Sequence, residues 1–275
     1  MLQHIFHHLH QVGQRSMAGQ VDGRPRGGHL PRNELIVALK LDTGGRHGHD
    51  GVSVSAQSEV VVLFDVDNTL LDNDGLQVDL DAEIVARFGE EGRGRYREHY
   101  EQLRGEVGYA DYLGALQRFR LEHLGDPGVG ALSTWLLAYP FHQRLFEGAL
   151  ESIDQMGRFA TTAILSDGDG VFQPHKIERS GLAAQVGGRV MVYVHKEGEI
   201  GPIEARYPAT RYVLVDDKPR ILAAMKATWG DQVTTVFVRQ GHYATDAKVL
   251  AELPPADITL EAIGELADLD LAALT

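Results

Sequence analysis

Two aspartates, Asp65 and Asp67, stand at the mouth of the apolar run Val60–Phe64 in the stretch VVVLFDVDNTLLDND. Like charges held so close repel, and a divalent cation makes the repulsion tolerable; hard carboxylate oxygens with few histidines nearby favour Mg²⁺. Other short apolar runs also end on groups that can do chemistry. TTAIL (161–165) is followed by Ser166, RVMVYV (189–194) by His195 and Lys196, and RYVLV (211–215) by Asp216 and Asp217. Acids, a hydroxyl and an ammonium from four separate runs can act together only if those runs end side by side.

The runs have the character this requires. Each is short, β-branched and continuously apolar, the pattern of a strand buried on both faces of a parallel sheet, and VTTVFV (233–238) is another. Helix-like stretches lie between the later runs, Pro174–Ser180 ending at Gly181 and Pro219–Thr228 ending before Gly230. This succession predicts an α/β doubly wound parallel sheet of Rossmann-like type, whose ligands bind beyond the carboxyl ends of the strands. Close to a hundred residues separate the first run from the second, too many for one crossover. The patterning of DAEIVARFGEE, ADYLGALQRFRLEHLG and GALESIDQMGRF predicts that they form a helical insertion over the sheet. The expected division is an α/β core from residues 58–74 and 158–275 and a helical cap domain from 75–157.

Composition narrows the function. The 275-residue chain has a formal charge of −13 and a pI of about 5.4, which argues against a general affinity for nucleic acid or anionic lipid. No apolar run approaches the roughly 20 residues of a membrane span. Cysteine is absent, which excludes disulfides, thiolate metal sites and thiol nucleophiles. Residues 1–57 hold seven of the 13 histidines and only short apolar runs, and are read as a mostly disordered extension. The spacing of His4, His7, His8 and His10 would also suit a metal on one helix face. A secretory signal needs a continuous apolar centre, which MLQHIFHHLHQVGQ lacks, so a cytoplasmic protein is expected.

Taken in order, DVDNTL (65–70), Ser166, Lys196 and VLVDD (213–217) resemble the four motifs of the haloacid dehalogenase (HAD) superfamily, over about residues 60–270. The long helical insertion is similar to that family's C1-type cap. The resemblance implies a Mg²⁺-dependent phosphatase acting on a small phosphorylated metabolite through an aspartyl-phosphate. Asp65 would be nucleophile and metal ligand. Asp67 would lend its backbone carbonyl to the metal and its side chain as acid and then base. Ser166 and Lys196 would hold the phosphoryl group, and Thr69 would fix the loop or contact phosphate through its backbone. Asp216 and Asp217 would complete the metal shell, Asp217 being the better match. Asn68 stands where many relatives have Gly, a change Asn tolerates because it too visits left-handed conformations.

Lys176 competes with Lys196 for the ammonium role, but it falls inside a predicted helix whereas Lys196 directly follows a strand. RQGHYATD (239–246) is expected to be a structural loop, and the arginines of the insertion (Arg87, Arg93, Arg95, Arg97, Arg104, Arg118 and Arg120) a solvated surface. Within the family, dehalogenases dispense with the second acid and with Mg²⁺, so Asp67 points to phosphoryl transfer. A phosphomutase and a catalytically silent HAD-like binding protein are the alternatives, with a monomer or homodimer as the expected assembly.

Overall fold

Val60, Val62 and Phe64 of β1 (Ser58–Phe64) face one side of a sheet, Val61 and Leu63 the other, and all five are buried. A strand with two apolar faces needs a layer on each, which is why it reads as continuously hydrophobic rather than alternating. In the computed structural model, which describes residues 58–245, 247–269 and 274, that strand lies within a six-stranded parallel sheet. The expectation for residues 1–57 lies outside the described residues.

The other strands are β2 (Thr161–Asp167), β3 (Val190–Tyr193), β4 (Ala209–Asp216), β5 (Val233–Val238) and β6 (Ile258–Leu260), in the order β3-β2-β1-β4-β5-β6. The chain runs outward from β1 through β2 to β3, then returns to β4 on the opposite flank of β1. This reversal is the topological switch point at which open α/β sheets bind ligands. Phe64 pairs with Ile164 on one side and Val215 on the other, so Asp65 emerges level with Asp216.

Four helices fill the connection between β1 and β2: α1 (Asn73–Val107), α2 (Tyr112–Glu122), α3 (Pro127–Leu137) and α4 (Ala149–Gly157). An aspartate side chain caps each of the first three. Asp72, Asp111 and Asp126 accept from the backbone N–H of Gly75, Gly114 and Gly128 at 2.8, 2.6 and 2.7 Å, supplying donors that a helix start otherwise leaves unpaired. Gly89 interrupts α1 with φ 69°, so the long segment is two helices joined at a kink. Helix α4, which the sequence division places with the insertion, packs against β2, and Ser152 Oγ donates to the Ile263 carbonyl at 2.8 Å.

After β2 come α5 (Phe172–Arg179) and α6 (Leu182–Gln185), after β3 α7 (Ile200–Arg206), after β4 α8 (Pro219–Trp229) and after β5 α9 (Ala247–Glu252). Phe172, at the start of α5, packs on Tyr112 and Phe141 with ring centroids 5.3 and 5.8 Å apart, which seats the insertion on the core. No helix among the described residues is long and apolar enough to cross a membrane.

Leu63 is fully buried between the sheet and the α7/α8 layer. Leu63→Ala is expected to cost about 2–5 kcal/mol of stability, read as a lower urea midpoint with little change in slope.

Candidate active site

The end of β1 is joined to β4 before any side chain is considered: the Asp65 backbone N–H donates to the Val215 carbonyl at 2.9 Å. Strands lie about 4.8 Å apart, so carboxylates leaving neighbouring strands at the same level must meet. Oxygens of Asp65, Asp216 and Asp217 lie within 4.8 Å of one another, and all three residues are buried.

Thr69 closes this arrangement. Its hydroxyl donates to Asp65 Oδ2 at 3.3 Å and accepts from the Asp217 backbone N–H at 2.9 Å, tying the ends of β1 and β4 together. The hydroxyl is thus used within the protein. Asn68 has φ 61°, and its Oδ1 accepts from the N–H groups of Asn73 and Asp74, both at 3.1 Å, anchoring the loop to the first turn of α1.

Lys196 enters from the loop after β3. Its fully buried Nζ lies 2.6 Å from Asp65 Oδ1, 2.6 Å from Asp216 Oδ2 and 3.1 Å from the Leu165 carbonyl. Its backbone N–H donates to Asp167 Oδ1 at 2.9 Å, which holds the loop in place. Ser166, near the end of β2 and paired with Val192 of β3, accepts from Gln173 Nε2 at 2.8 Å. The sequence-based candidates Asp65, Thr69, Ser166, Lys196, Asp216 and Asp217 therefore gather at one edge. The Asp67 carboxylate is not in the three-aspartate group: its Oδ1 lies 2.5 Å from Lys176 Nζ and its Oδ2 3.3 Å from Gln173 Nε2.

Charge accounts for the titration behaviour. Burial pushes the Asp65 carboxyl up, but the ammonium groups of Lys196 and Lys218 outweigh it and leave the group below its ordinary range. Asp216 is pushed up to about 6 by burial, against the pull of Lys196 and with the Asp65 charge adding to the rise. Asp217 lies well above its ordinary value: burial raises it, Lys218 opposes, and the Asp216 and Asp65 carboxylates raise it further. Neither Asp217 oxygen has a hydrogen-bond partner among the described residues, although both are buried. Buried carboxylates are costly when unpaired, and hard oxygens so arranged suit a small divalent cation. On this criterion Asp65, Asp216 and Asp217 fit a metal site.

Sequence reasoning did not single out Lys218, whose ammonium faces Asp65, Asp216, Asp217 and Asp167 and is raised by them against the effect of burial. The signal was its position directly after the aspartate pair. Gln173 and Asn73 were missed too, since single amides inside helices carry no distinctive pattern.

A cleft of about 190 Å³ lies between this edge and the insertion. Tyr100, Arg104 and Tyr109 wall it on one side, and His195, Lys218 and Arg220 on the other. His195 also sits against Gly108 at the end of α1, where a Cβ would come within 2.9 Å of its ring. The loop after β5 borders the cleft through His242 and Tyr243, and the His242 backbone N–H donates to Asp74 Oδ2 at 2.9 Å. Most of the insertion's other arginines pair with acids on its surface, as Arg93 does with Glu90 at 2.7 Å and Arg118 with Glu106 at 2.5 Å. Such exposed pairs contribute little stability.

A parallel sheet with acids at its switch point and a long insertion after its first strand defines a class, and the comparisons agree on which. A haloacid dehalogenase-like hydrolase from Burkholderia xenovorans LB400 is 54% identical, matching 77% of this chain and 99% of its own with a TM-score of 0.73. The chain belongs to the haloacid dehalogenase-like hydrolases. Similar folds at low identity include 2-haloacid dehalogenase from Pseudomonas syringae pv. tomato DC3000, 17% identical over 76% of this chain and 96% of its own, TM-score 0.53. Another is the HAD-hydrolase YfnB from Bacillus subtilis, solved bound to magnesium, 14% identical over 77% of this chain and 98% of its own, TM-score 0.50. No protein-family model and no curated relative matches the chain.

In EDTA, Asp217→Asn is expected to be at least as stable as the wild type, by up to about 2 kcal/mol, because it relieves a buried, unpartnered carboxylate. Urea unfolding of both proteins without metal checks this. A clear loss of stability would show that Asp217 is paired in solution.

Proposed function

We propose that this hydrolase is a Mg²⁺-dependent phosphomonoesterase acting on a small phosphorylated metabolite. The observation that carries the reading is the buried Asp65/Asp216/Asp217 group with Asp217 unpartnered, next to a further acid, Asp67, that borders the cleft. In this reading Asp65, Asp216, Asp217 and the Asp67 backbone carbonyl would hold the divalent cation, which would supply screening of the charge between the carboxylates and an anionic substrate.

The residues of the chain supply the other steps. An Asp65 carboxylate oxygen attacks phosphorus, the bond to the leaving oxygen breaks, and Asp67 gives that oxygen its proton. Asp67, now a carboxylate, takes a proton from water as the water attacks the phosphoryl group, which releases phosphate and returns Asp65. Lys196 holds Asp65 ionised and oriented and neutralises charge on the transferred group, while Ser166 donates to a phosphoryl oxygen. The helical insertion serves as a cap that closes the cleft, favouring small substrates and excluding bulk water. Asp67 favours phosphoryl transfer over carbon–halogen chemistry, since departure of halide needs no proton donor.

Phosphate release from a panel of small esters, with Mg²⁺ and with EDTA, tests the reading. Turnover is expected to need the metal and to fall to background in Asp65→Asn, whose amide is a poor nucleophile. Asp67→Asn is expected to lower turnover about 10²–10⁴-fold and to let the phosphoenzyme persist long enough to be trapped by acid quench. Turnover that is indifferent to EDTA or to Asp65→Asn would reject the assignment.

A further inference from the structure

Lys176, which the sequence sets beside Lys196 as a rival phosphate ligand, has a different partner in the folded chain. Its fully buried Nζ lies 2.5 Å from Asp67 Oδ1 and 3.1 Å from Asn73 Oδ1. The other Asp67 oxygen accepts from Gln173 Nε2 at 3.3 Å, and the same nitrogen donates to Ser166 Oγ at 2.8 Å. Gln173 and Lys176 are three apart on α5, so one helix face grips both oxygens of one carboxylate.

Burying an ammonium is costly unless it is well paired, and a position that served packing alone would take an aliphatic side chain at less cost. Asp67 is the more open member of the pair, with 23% of its side chain accessible where it borders the cleft. The grip also reaches the insertion, because Asn73 Nδ2 donates to the Tyr112 hydroxyl at 3.3 Å and both residues are buried.

We infer that Gln173 and Lys176 are positioning residues that hold the Asp67 carboxylate in the orientation from which it serves the leaving oxygen. The inference rests on the proposed acid–base role of Asp67. It gives Lys176 no contact with the transferred phosphoryl group, a job left to Lys196.

The test is single-turnover release of the leaving group with Mg²⁺, comparing the best alkyl phosphate of the panel with p-nitrophenyl phosphate, whose leaving group departs without a proton. Lys176→Met keeps the side-chain bulk. It is expected to slow alkyl ester cleavage about 10²-fold while p-nitrophenolate release changes by less than about threefold, with little change in KM for either. Gln173→Leu should show the same selectivity more weakly, and it keeps the test readable if Lys176→Met fails to fold. The double variant Lys176→Met/Asp67→Asn should be no slower than Asp67→Asn alone, because the two changes act through one group.

Equal losses on both esters would mean a merely structural role and would overturn the inference. So would wild-type rates in both α5 variants while Asp67→Asn shows the selective loss. Absence of Mg²⁺-dependent turnover in the wild type is a separate result, which would sink the phosphomonoesterase reading and this inference with it.

Discussion

Three carboxylates converge at the ends of two neighbouring parallel strands, and the rest of the site is arranged around that repulsion. Asp65 and Asp216 come level because β1 and β4 pair in register, and Asp217 follows at once in the chain. Lys196 answers two of the three charges directly at 2.6 Å, Lys218 faces all of them, and Thr69 clamps the backbone that carries them. Asp217 is left without a hydrogen-bond partner. In the proposed reading this buried carboxylate without a hydrogen bond is the one that a bound cation would satisfy, in keeping with the tendency of binding sites to sit where stability has been given up.

The topology makes this convergence possible. Reversal of the strand order at β1 leaves the carboxyl ends of β2, β1 and β4 without a covering crossover, and the long connection after β1 supplies a separate roof. That roof is seated by Tyr112 and Phe141 on Phe172 and reaches the acids through Asn73 and Asn68. The insertion and the strand-end loop therefore share side chains, so displacement of the helices would be felt at Asp67.

Family membership follows from a relative 54% identical along nearly its whole length, whereas the likeness to more distant hydrolases is a likeness of fold. Within such a fold the chemistry depends on which side chains occupy the strand ends. In the proposed reading the pair Asp65 and Asp67 is what favours phosphoryl transfer over the other reactions the scaffold supports.

Much of this was legible before folding was considered. Runs such as VVVLF and RYVLV mark two-faced strands because a strand buried on both sides has no polar period, and the residue after each run must fall at the sheet edge. The expectations for Asp65, Ser166, Lys196, Asp216 and Asp217 rest on their places one or two residues past such runs. The left-handed Asn68 was expected from the resemblance, since it stands where many relatives have Gly. What the sequence could not convey was partnership. Lys176 and Lys196 are both buried lysines near an acid, and only the packing of α5 against the β1 loop turns the first to Asp67 while the β3 loop turns the second to Asp65 and Asp216. The physical reason is one of range: burial and strand periodicity are set by neighbours along the chain, whereas the choice of an ion-pair partner is made between segments far apart in it, 109 residues for Lys176 and Asp67 and 131 for Lys196 and Asp65, by which helix face meets which strand end.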